Sequence, residues 1–394
     1  MKRCFRCVLG VVVCLLASNA EAVDFNLFGD TQFVSSGKNA SFDLGAMDLS
    51  VEHNVSDTSV VTADFLFETS EHGYETEIER LKISRQLSTN FNLSMGRMVS
   101  GQGFWQQTFH HGSLSQDTVT PPIFLENLER HDGIITAHAT GMALEGKWGS
   151  FSTVLTVSNP GGIDTNPDAS SEGGLTLVDL DHGAVKRHFT QLLRLVYEPN
   201  WKSEIGLLVE NKPVIELAQK DSVLDSGAAF ACSAPPQDRS AVETGDLLFR
   251  VLRSGFDYYY NGDKFYTYLE YSRIGVKDGD FLLRCYDPSG VNNALLPKKD
   301  RYEAIAYYAQ VGYRLNSELA FTVRHESLDI GNNATLYQLT GWQSLIRNVV
   351  AMNYRFDASN ALRVEYNKSA YADPAENAQD GNSEVRIQWF FLVL

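Results

Sequence analysis

Beyond its first 22 residues the chain has no run approaching the roughly 18 consecutive apolar residues of a membrane-spanning helix, so no such helix is expected. Cysteine is nearly absent as well: three of the five (Cys4, Cys7, Cys14) fall in that opening stretch, leaving Cys232 and Cys285. There is no helix-borne zinc motif, no phosphate-cradling glycine-rich loop and no Gly-x-Ser-x-Gly elbow, which removes the usual signatures of metallohydrolases, nucleotide-binding proteins and lipases. Positive charge is in short supply: 33 Lys and Arg stand against 49 Asp and Glu, for a formal charge of −16. Nucleic acid is excluded as a partner for so acidic a surface. No Pro/Ser-rich joint, charge block or composition shift interrupts the chain, so one domain is expected despite its length.

The first 22 residues have the form of a secretory leader. Lys2, Arg3 and Arg6 make a basic start, Cys7 to Ala17 an apolar core, and Ala20-Glu21-Ala22 a small-x-small cleavage site. The mature chain is expected to begin at Val23. Because the leader carries three basic residues and only Glu21, its loss moves the formal charge to −18. Export also means an oxidising compartment, in which Cys232 and Cys285 are expected to form a disulfide.

From Asp24 onward the dominant pattern has a period of two. In 318–329, Leu319, Phe321 and Val323 share one face while Thr322, Arg324 and Glu326 share the other. Leu362, Val364 and Tyr366 likewise oppose Arg363, Glu365 and Asn367, and Val385, Ile387, Trp389 and Phe391 oppose Arg386 and Gln388. The last three residues, Leu392 to Leu394, read as an extension past that face. Tight turns such as Gly149-Ser150, Asn261-Gly262-Asp263 and Asn316-Ser317 alternate with long connections, among them 99–138, 160–187, 213–245 and 277–300. Strands that must satisfy every backbone group within hydrocarbon have to close on themselves. The expectation is therefore all-β: a transmembrane antiparallel barrel of about sixteen strands over 23–394. Aromatics near the short turns, including Tyr258, Tyr259, Tyr260, Phe265, Tyr266, Tyr268, Tyr313 and Trp389, are expected to form an interfacial girdle.

The chain resembles the porins of Gram-negative outer membranes, and among them the phosphate-selective-like and dicarboxylate-channel-like porins. The resemblance rests on the leader, on a first strand of the form Phe25-Asn26-Leu27-Phe28-Gly29-Asp30, and on Gly96 to Gly146. That stretch holds Gly96-Arg97-Met98, Gly103-Phe104-Trp105, His110-His111-Gly112, His131-Asp132-Gly133-Ile134 and Ala137-His138. It implies a trimer of sixteen-stranded barrels in the outer membrane, in contact with lipid and lipopolysaccharide. It also implies a long third loop, 99–138, folded inward to narrow the pore.

Assigning the polar parity of each strand to the lumen makes Arg80, Lys82, Arg194, Arg250, Arg314, Arg324, Arg347, Arg355, Arg363 and Arg386 pore-lining, together with Glu204, Glu210, Glu270, Glu326 and Glu365. In the loop, Phe104, Trp105, Phe109, Ile123, Phe124 and Leu125 are apolar enough to seat it on the wall, and Glu126, Glu129 and Asp132 would face the arginines. Charges arranged in this way select ions in wide pores. His110, His111, His131 and His138 have ligand chemistry, but adjacent histidines on an extended segment point apart, so neither metal nor cofactor is expected. The function expected is passive diffusion of small hydrophilic solutes, with a bias toward anionic or zwitterionic ones, without catalysis. The alternatives are a plugged or structural barrel such as an adhesin and, further off, an outer-membrane lipase.

Overall fold

The computed structural model describes residues 23–37, 39–70, 73–100, 103–109, 116–126, 138–164, 176–179, 187–216, 247–277, 302–330, 344–371 and 383–393. The leader, the Cys232 and Cys285 pair, and His110, His111, Glu129, His131 and Asp132 lie outside these residues, as does the side chain of Glu126.

The first strands are β1 (Val23–Ser36), β2 (Asn39–Ser56), β3 (Ser59–Ser70), β4 (Gly73–Gln86), β5 (Phe91–Val99), β6 (His138–Trp148) and β7 (Phe151–Ser158). Then come β8 (Gly161–Asp164), β9 (Thr176–Asp179), β10 (Thr190–Asn200), β11 (Ser203–Glu216), β12 (Leu247–Asn261) and β13 (Phe265–Lys277). The last are β14 (Tyr302–Arg314), β15 (Leu319–Ile330), β16 (Leu345–Arg355), β17 (Asn360–Tyr371) and β18 (Ser383–Val393). Sixteen of them form a closed antiparallel barrel. β8 and β9 make an accessory hairpin inside the connection expected to be plain loop, laid parallel on β11 from Val214↔Gly161.

Closure joins β1 to β18 from Leu27↔Val393 to Ser36↔Glu384. Leu392 and Val393 are thus part of the closing strand, which corrects the reading of the last residues as an extension past Phe391. Along the barrel the long connections begin only after β5. The ladders of β1 with β2 and β3 with β4 close at Ser36↔Asn39 and Ser70↔Gly73.

Burial is inverted relative to a water-soluble protein. On β15, Phe321 and Val323 are exposed at 44% and 58%, while Thr322 between them and Arg324 and Glu326 beyond them are at 1%, 1% and 0%. The same inversion recurs on β17, where Tyr366 is exposed and Arg363 and Glu365 are buried. An outer surface of Leu207, Val209, Val311, Val323 and Val350 is stable only against hydrocarbon, because each such side chain left in water forgoes about 1.5–3 kcal/mol. Strands such as β14, with 13 residues, are long enough to cross an apolar band of about 25 Å when tilted.

Side-chain caps organise the short turns. Asn316 Oδ1 accepts from the backbone of Glu318 (2.9 Å) and Leu319 (2.7 Å), Asn200 Oδ1 from Lys202 (2.9 Å), and Asp357 Oδ1 from Ser359 (2.7 Å). At this end aromatic pairs follow one another around the outside: Phe91–Trp148 at 5.2 Å, Phe151–Tyr197 at 4.8 Å, Phe265–Tyr313 at 4.9 Å and Phe356–Trp389 at 5.8 Å. The girdle is therefore real, but it excludes Tyr259, Tyr266 and Tyr268. Tyr266 and Tyr268 are buried and Tyr259 is partly so, all three on the inward parity of β12 and β13.

The seam has its own clasp. Asp30 points inward from β1 and accepts from Gln388 of β18 (2.8 Å), from Gln32 (2.8 Å) and from the backbone of Ala46 (3.1 Å), where the β1–β2 register shifts. Gly45 makes room for it, since a Cβ there would sit 2.2 Å from the Asp30 carboxylate. Asp30→Ala should cost about 1.5–3 kcal/mol, the range for hydrogen bonds to a charged group. The check is the temperature at which the compact barrel band is lost on a denaturing gel; an unshifted transition would show that closure does not lean on Asp30.

Candidate functional site

The segment joining β5 to β6 enters the barrel. Its described residues include two short helices, α1 (Phe104–Thr108) and α2 (Ile123–Glu126), and before the second an irregular run, Thr118-Val119-Thr120-Pro121-Pro122, which places unpaired backbone groups against the wall. Irregular backbone at membrane depth is tolerated only where protein or water satisfies it. Here the wall does so with charge.

Glu365 of β17 accepts from the backbone N–H of Val119 (2.7 Å) and Thr120 (3.1 Å) and from the Thr120 hydroxyl (2.6 Å). Glu326 of β15 accepts from Ile123 N–H (2.5 Å), and Glu270 of β13 from Trp105 N–H (2.5 Å). The loop carbonyls are met by guanidinium groups. Arg324 donates to Thr120 O (2.9 Å), to Pro121 O (3.1 Å) and to the Thr118 hydroxyl (2.6 Å), while Arg347 donates to Pro121 O (2.5 Å). Both arginines also pair with Glu326, at 3.0 and 2.7 Å. The carboxylates thus take the loop's donors, the arginines take its acceptors, and each set neutralises the other.

Aromatic rings complete the seat. Phe104 stacks on Tyr259 at 4.2 Å, Trp105 meets Tyr308 edge-on at 5.5 Å, and the Arg324 guanidinium lies 5.6 Å from the Trp105 ring. Tyr266 folds flat over Gly312, where a Cβ would come within 1.8 Å of the ring, and its hydroxyl meets Thr322 at 2.7 Å. Phe104, Trp105, Phe109, Ile123 and Leu125 form one buried cluster with the wall.

The residues expected to line the pore separate into groups. Arg324 and Arg347 hold the loop. Arg194 also touches it, donating to Gln107 (2.8 Å) while pairing with Asp257 (2.7 Å) and Glu204 (2.5 Å). Arg363, 1% exposed, donates to Gln388 (2.9 Å), and Arg386 pairs with Glu384 on its own strand. Arg80 pairs with Asp64, and Lys82 is half-buried on the same face of β4. Arg250 is a correction: it sits on the parity of Leu252 and Phe256, cross-strand from Lys277, and so on the outward face. The inward arginine of β12 is Arg253, 4% exposed and bonded to the Ser272 hydroxyl at 3.0 Å. Asp257, four residues on, shares its parity, and that buried acid was the available clue.

Among the described loop residues, Asp117 brings a carboxylate to the wall, a residue the sequence reading did not single out; Glu129 and Asp132, and the side chain of Glu126, lie outside those residues. The Tyr268 hydroxyl donates to Asp117 at 3.2 Å. Burial raises its carboxyl above the usual aspartate range, against the opposing pull of Arg363 and that hydrogen bond.

The described residues of the loop pack mainly on β12 to β17, away from the wall formed by β4 to β7. A cavity of about 570 Å³ runs along β4 to β7, bordered by Arg80, Lys82, Asn92, Ser94, Glu145 and Lys147. Lys147 is engaged by Glu198 at 3.0 Å, whereas Lys82 has no hydrogen-bond partner among the described residues.

No family model and no curated protein matches the sequence. Solved structures do match in fold. An anion-selective porin from Comamonas acidovorans aligns at 8% identity and a TM-score of 0.58, over 94% of this chain and 99% of that one. OmpT, an outer-membrane protein of Vibrio cholerae, aligns at 9% and 0.53 over 95% and 99%. Salmonella typhi OmpF in complex with daunomycin aligns at 10% and 0.54 over 94% and 97%. At such identities the likeness is one of fold, the closed barrel of outer-membrane proteins.

Removing one partner of a buried ion network leaves the other uncompensated, so Arg324→Ala should lower barrel stability by about 3–5 kcal/mol, read from the denaturation midpoint in detergent. Lys82→Gln, away from the anchors, should stay within about 0.5 kcal/mol. Equal midpoints would refute the anchoring role. Asp117 gives a pH test. A carboxyl raised on folding binds its proton more tightly when folded, so its ionisation costs stability as pH rises above the ordinary aspartate value. Asp117→Asn should therefore raise the midpoint near neutral pH and leave it unchanged in acid below that value.

Proposed function

We propose that this chain is an outer-membrane pore for passive diffusion of small hydrophilic solutes, biased toward anions. The observation that carries the reading is the asymmetric lumen: the inward loop is fastened to one wall, and the other borders an open cavity beside Arg80 and Lys82. A barrel of sixteen strands is wide enough to hold an aqueous passage. The loop narrows it without needing to move.

The reading assigns selectivity differently from the sequence alone. Arg324 and Arg363, which sit mid-strand with clean alternation, are each 1% exposed. Their charge is spent on the loop and the seam. Lys82 borders the cavity without a hydrogen-bonded counter-ion among the described residues, which makes it the better candidate for drawing anions. The finer likeness to phosphate-selective-like or dicarboxylate-channel-like porins, the trimer, the contact with lipopolysaccharide and the leader cleaved before Val23 belong to the same proposal, as does the absence of catalysis.

A plugged, structural barrel is the second reading, favoured by how firmly the loop is seated. Planar bilayers separate the two. The proposal expects discrete conductance steps, a reversal potential of anion-preferring sign across a salt gradient, and a shift toward cations in Lys82→Gln. A conducting parent with cation preference would refute the anion bias; a barrel without steps would refute the pore.

A further inference from the structure

We propose that Gln107, on the inward loop, is the specificity-determining residue that the loop presents to the passage, and that Arg194 is the positioning residue for its amide. The inference deepens the pore reading and rests on it for its use, while the placement of Gln107 is defined by its own geometry.

α1 packs Phe104 and Trp105 on the wall and leaves Gln107 and Thr108 exposed. Consecutive residues of a helix point about 100° apart, and these two border different cavities. Gln107 borders the one of about 570 Å³ along β4 to β7; Thr108 borders a second, of about 370 Å³. The second cavity is balanced in charge, with Asp117 and Glu318 against Arg314 and Arg355, and Arg314 is already committed to Gly262 O (2.8 Å) and Asn261 Oδ1 (2.7 Å). The first has Arg80, Lys82 and Lys147 on its border and, among the described residues, one carboxylate, Glu145. Of the described loop residues, Gln107 alone reaches that border.

The amide has a fixed sense. Arg194 donates to Gln107 Oε1 at 2.8 Å. A guanidinium carries donors only, so the amide atom that meets it is the oxygen and the NH2 end is left over. That NH2 meets no acceptor among the described residues, and the side chain is exposed, so two N–H donors are turned to the passage. Arg194 itself is 2% exposed and stands behind the lip, cross-strand from Val154, which borders the cavity. Asp257 at 2.7 Å and Glu204 at 2.5 Å neutralise it and hold its plane. A solute therefore meets the amide and not the arginine. A carboxylate at this position would keep the bond to Arg194 and put a negative charge on the lip; the amide keeps the bond and offers donors on the side of Lys82.

The test is the reversal potential of the full-length protein in planar bilayers. Gln107→Glu is expected to cut the anion-over-cation permeability ratio about fivefold, the Boltzmann factor of one unit charge a few ångströms from an ion in water. Thr108→Glu adds the same charge one residue on, beside the other cavity, and should leave the ratio close to that of the parent. Arg194→Lys keeps the charge without the planar fork and should lower the ratio. In a Gln107→Met background the same lysine should change nothing, an outcome that a purely structural arginine would not give. A second measurement needs no conduction: Gln107→Cys and Thr108→Cys proteins in detergent are treated with anionic and cationic methanethiosulfonates, and labelling is followed by mass against the parent, each rate divided by that of a free thiol. The anionic reagent should be favoured about fivefold at position 107 and not at 108. An unchanged ratio in Gln107→Glu overturns the proposal, as does an equal shift in Thr108→Glu or equal anionic preference at the two cysteines. A lysine effect that persists in Gln107→Met overturns the part given to Arg194. A parent without channel steps refutes the pore reading alone, and the thiol rates then decide the placement of Gln107.

Discussion

The arrangement on which the rest depends is the match between the loop's backbone and the wall's charges. A chain that turns into a barrel carries N–H and C=O groups that no ladder can satisfy, each costing about 1–3 kcal/mol if buried unpaired. Glu270, Glu326 and Glu365 take the donors; Arg324 and Arg347 take the acceptors. Neither half would be stable alone. A wall of buried carboxylates without arginines would repel itself, and Arg324 and Arg347, side by side on neighbouring strands, would without the loop keep Glu326 but lose acceptors for their remaining N–H groups. The loop turns a costly set of buried ions into a satisfied lattice, and the lattice fixes the loop.

That dependence explains why lumen charge and lumen selectivity are not the same thing. The barrel's interior has to be polar because its exterior has to be apolar, and most of the resulting charge is consumed in pairs: Arg80 with Asp64, Arg194 with Asp257 and Glu204, Arg386 with Glu384. What a passing solute meets is the remainder. Two cations without hydrogen-bond partners among the described residues, Lys82 on β4 and Arg355 on β16, border the two cavities on either side of the loop. The overall acidity of the chain, so prominent in its composition, says nothing about that remainder.

The barrel was largely legible in the sequence, and for a clear reason. Period-two amphipathy is imposed at every strand by lipid on one side and water on the other, so the signal repeats sixteen times and turn chemistry confirms it. What was not legible depended on a single register or on contacts distant in sequence. Arg250 and Arg253 are three residues apart in a strand with arginines on both parities, and one step of register decides which of them faces the lumen. Tyr266 and Tyr268 sit next to genuine girdle residues, and only their cross-strand partners and the loop reveal them as its seat. The hairpin of β8 and β9 exists because β11 runs on past the end of its pairing with β10 and offers Val214 to Glu216 as an edge on that side, which local sequence does not state.

The same reasoning sets the roles of the two mid-strand arginines. In an open tube, clean alternation around Arg324 and Arg363 would mark them as the residues a solute meets, since nothing else in the strand competes for the lumen face. A loop whose described residues pack inside the tube changes the question from which side chains face inward to which still face water. Arg324 bonds to three loop residues, Thr118, Thr120 and Pro121, that lie about two hundred positions earlier in the chain. Inwardness is a property of the strand and can be read from it. Access to water is a property of the assembled lumen, and here the inward loop sets it.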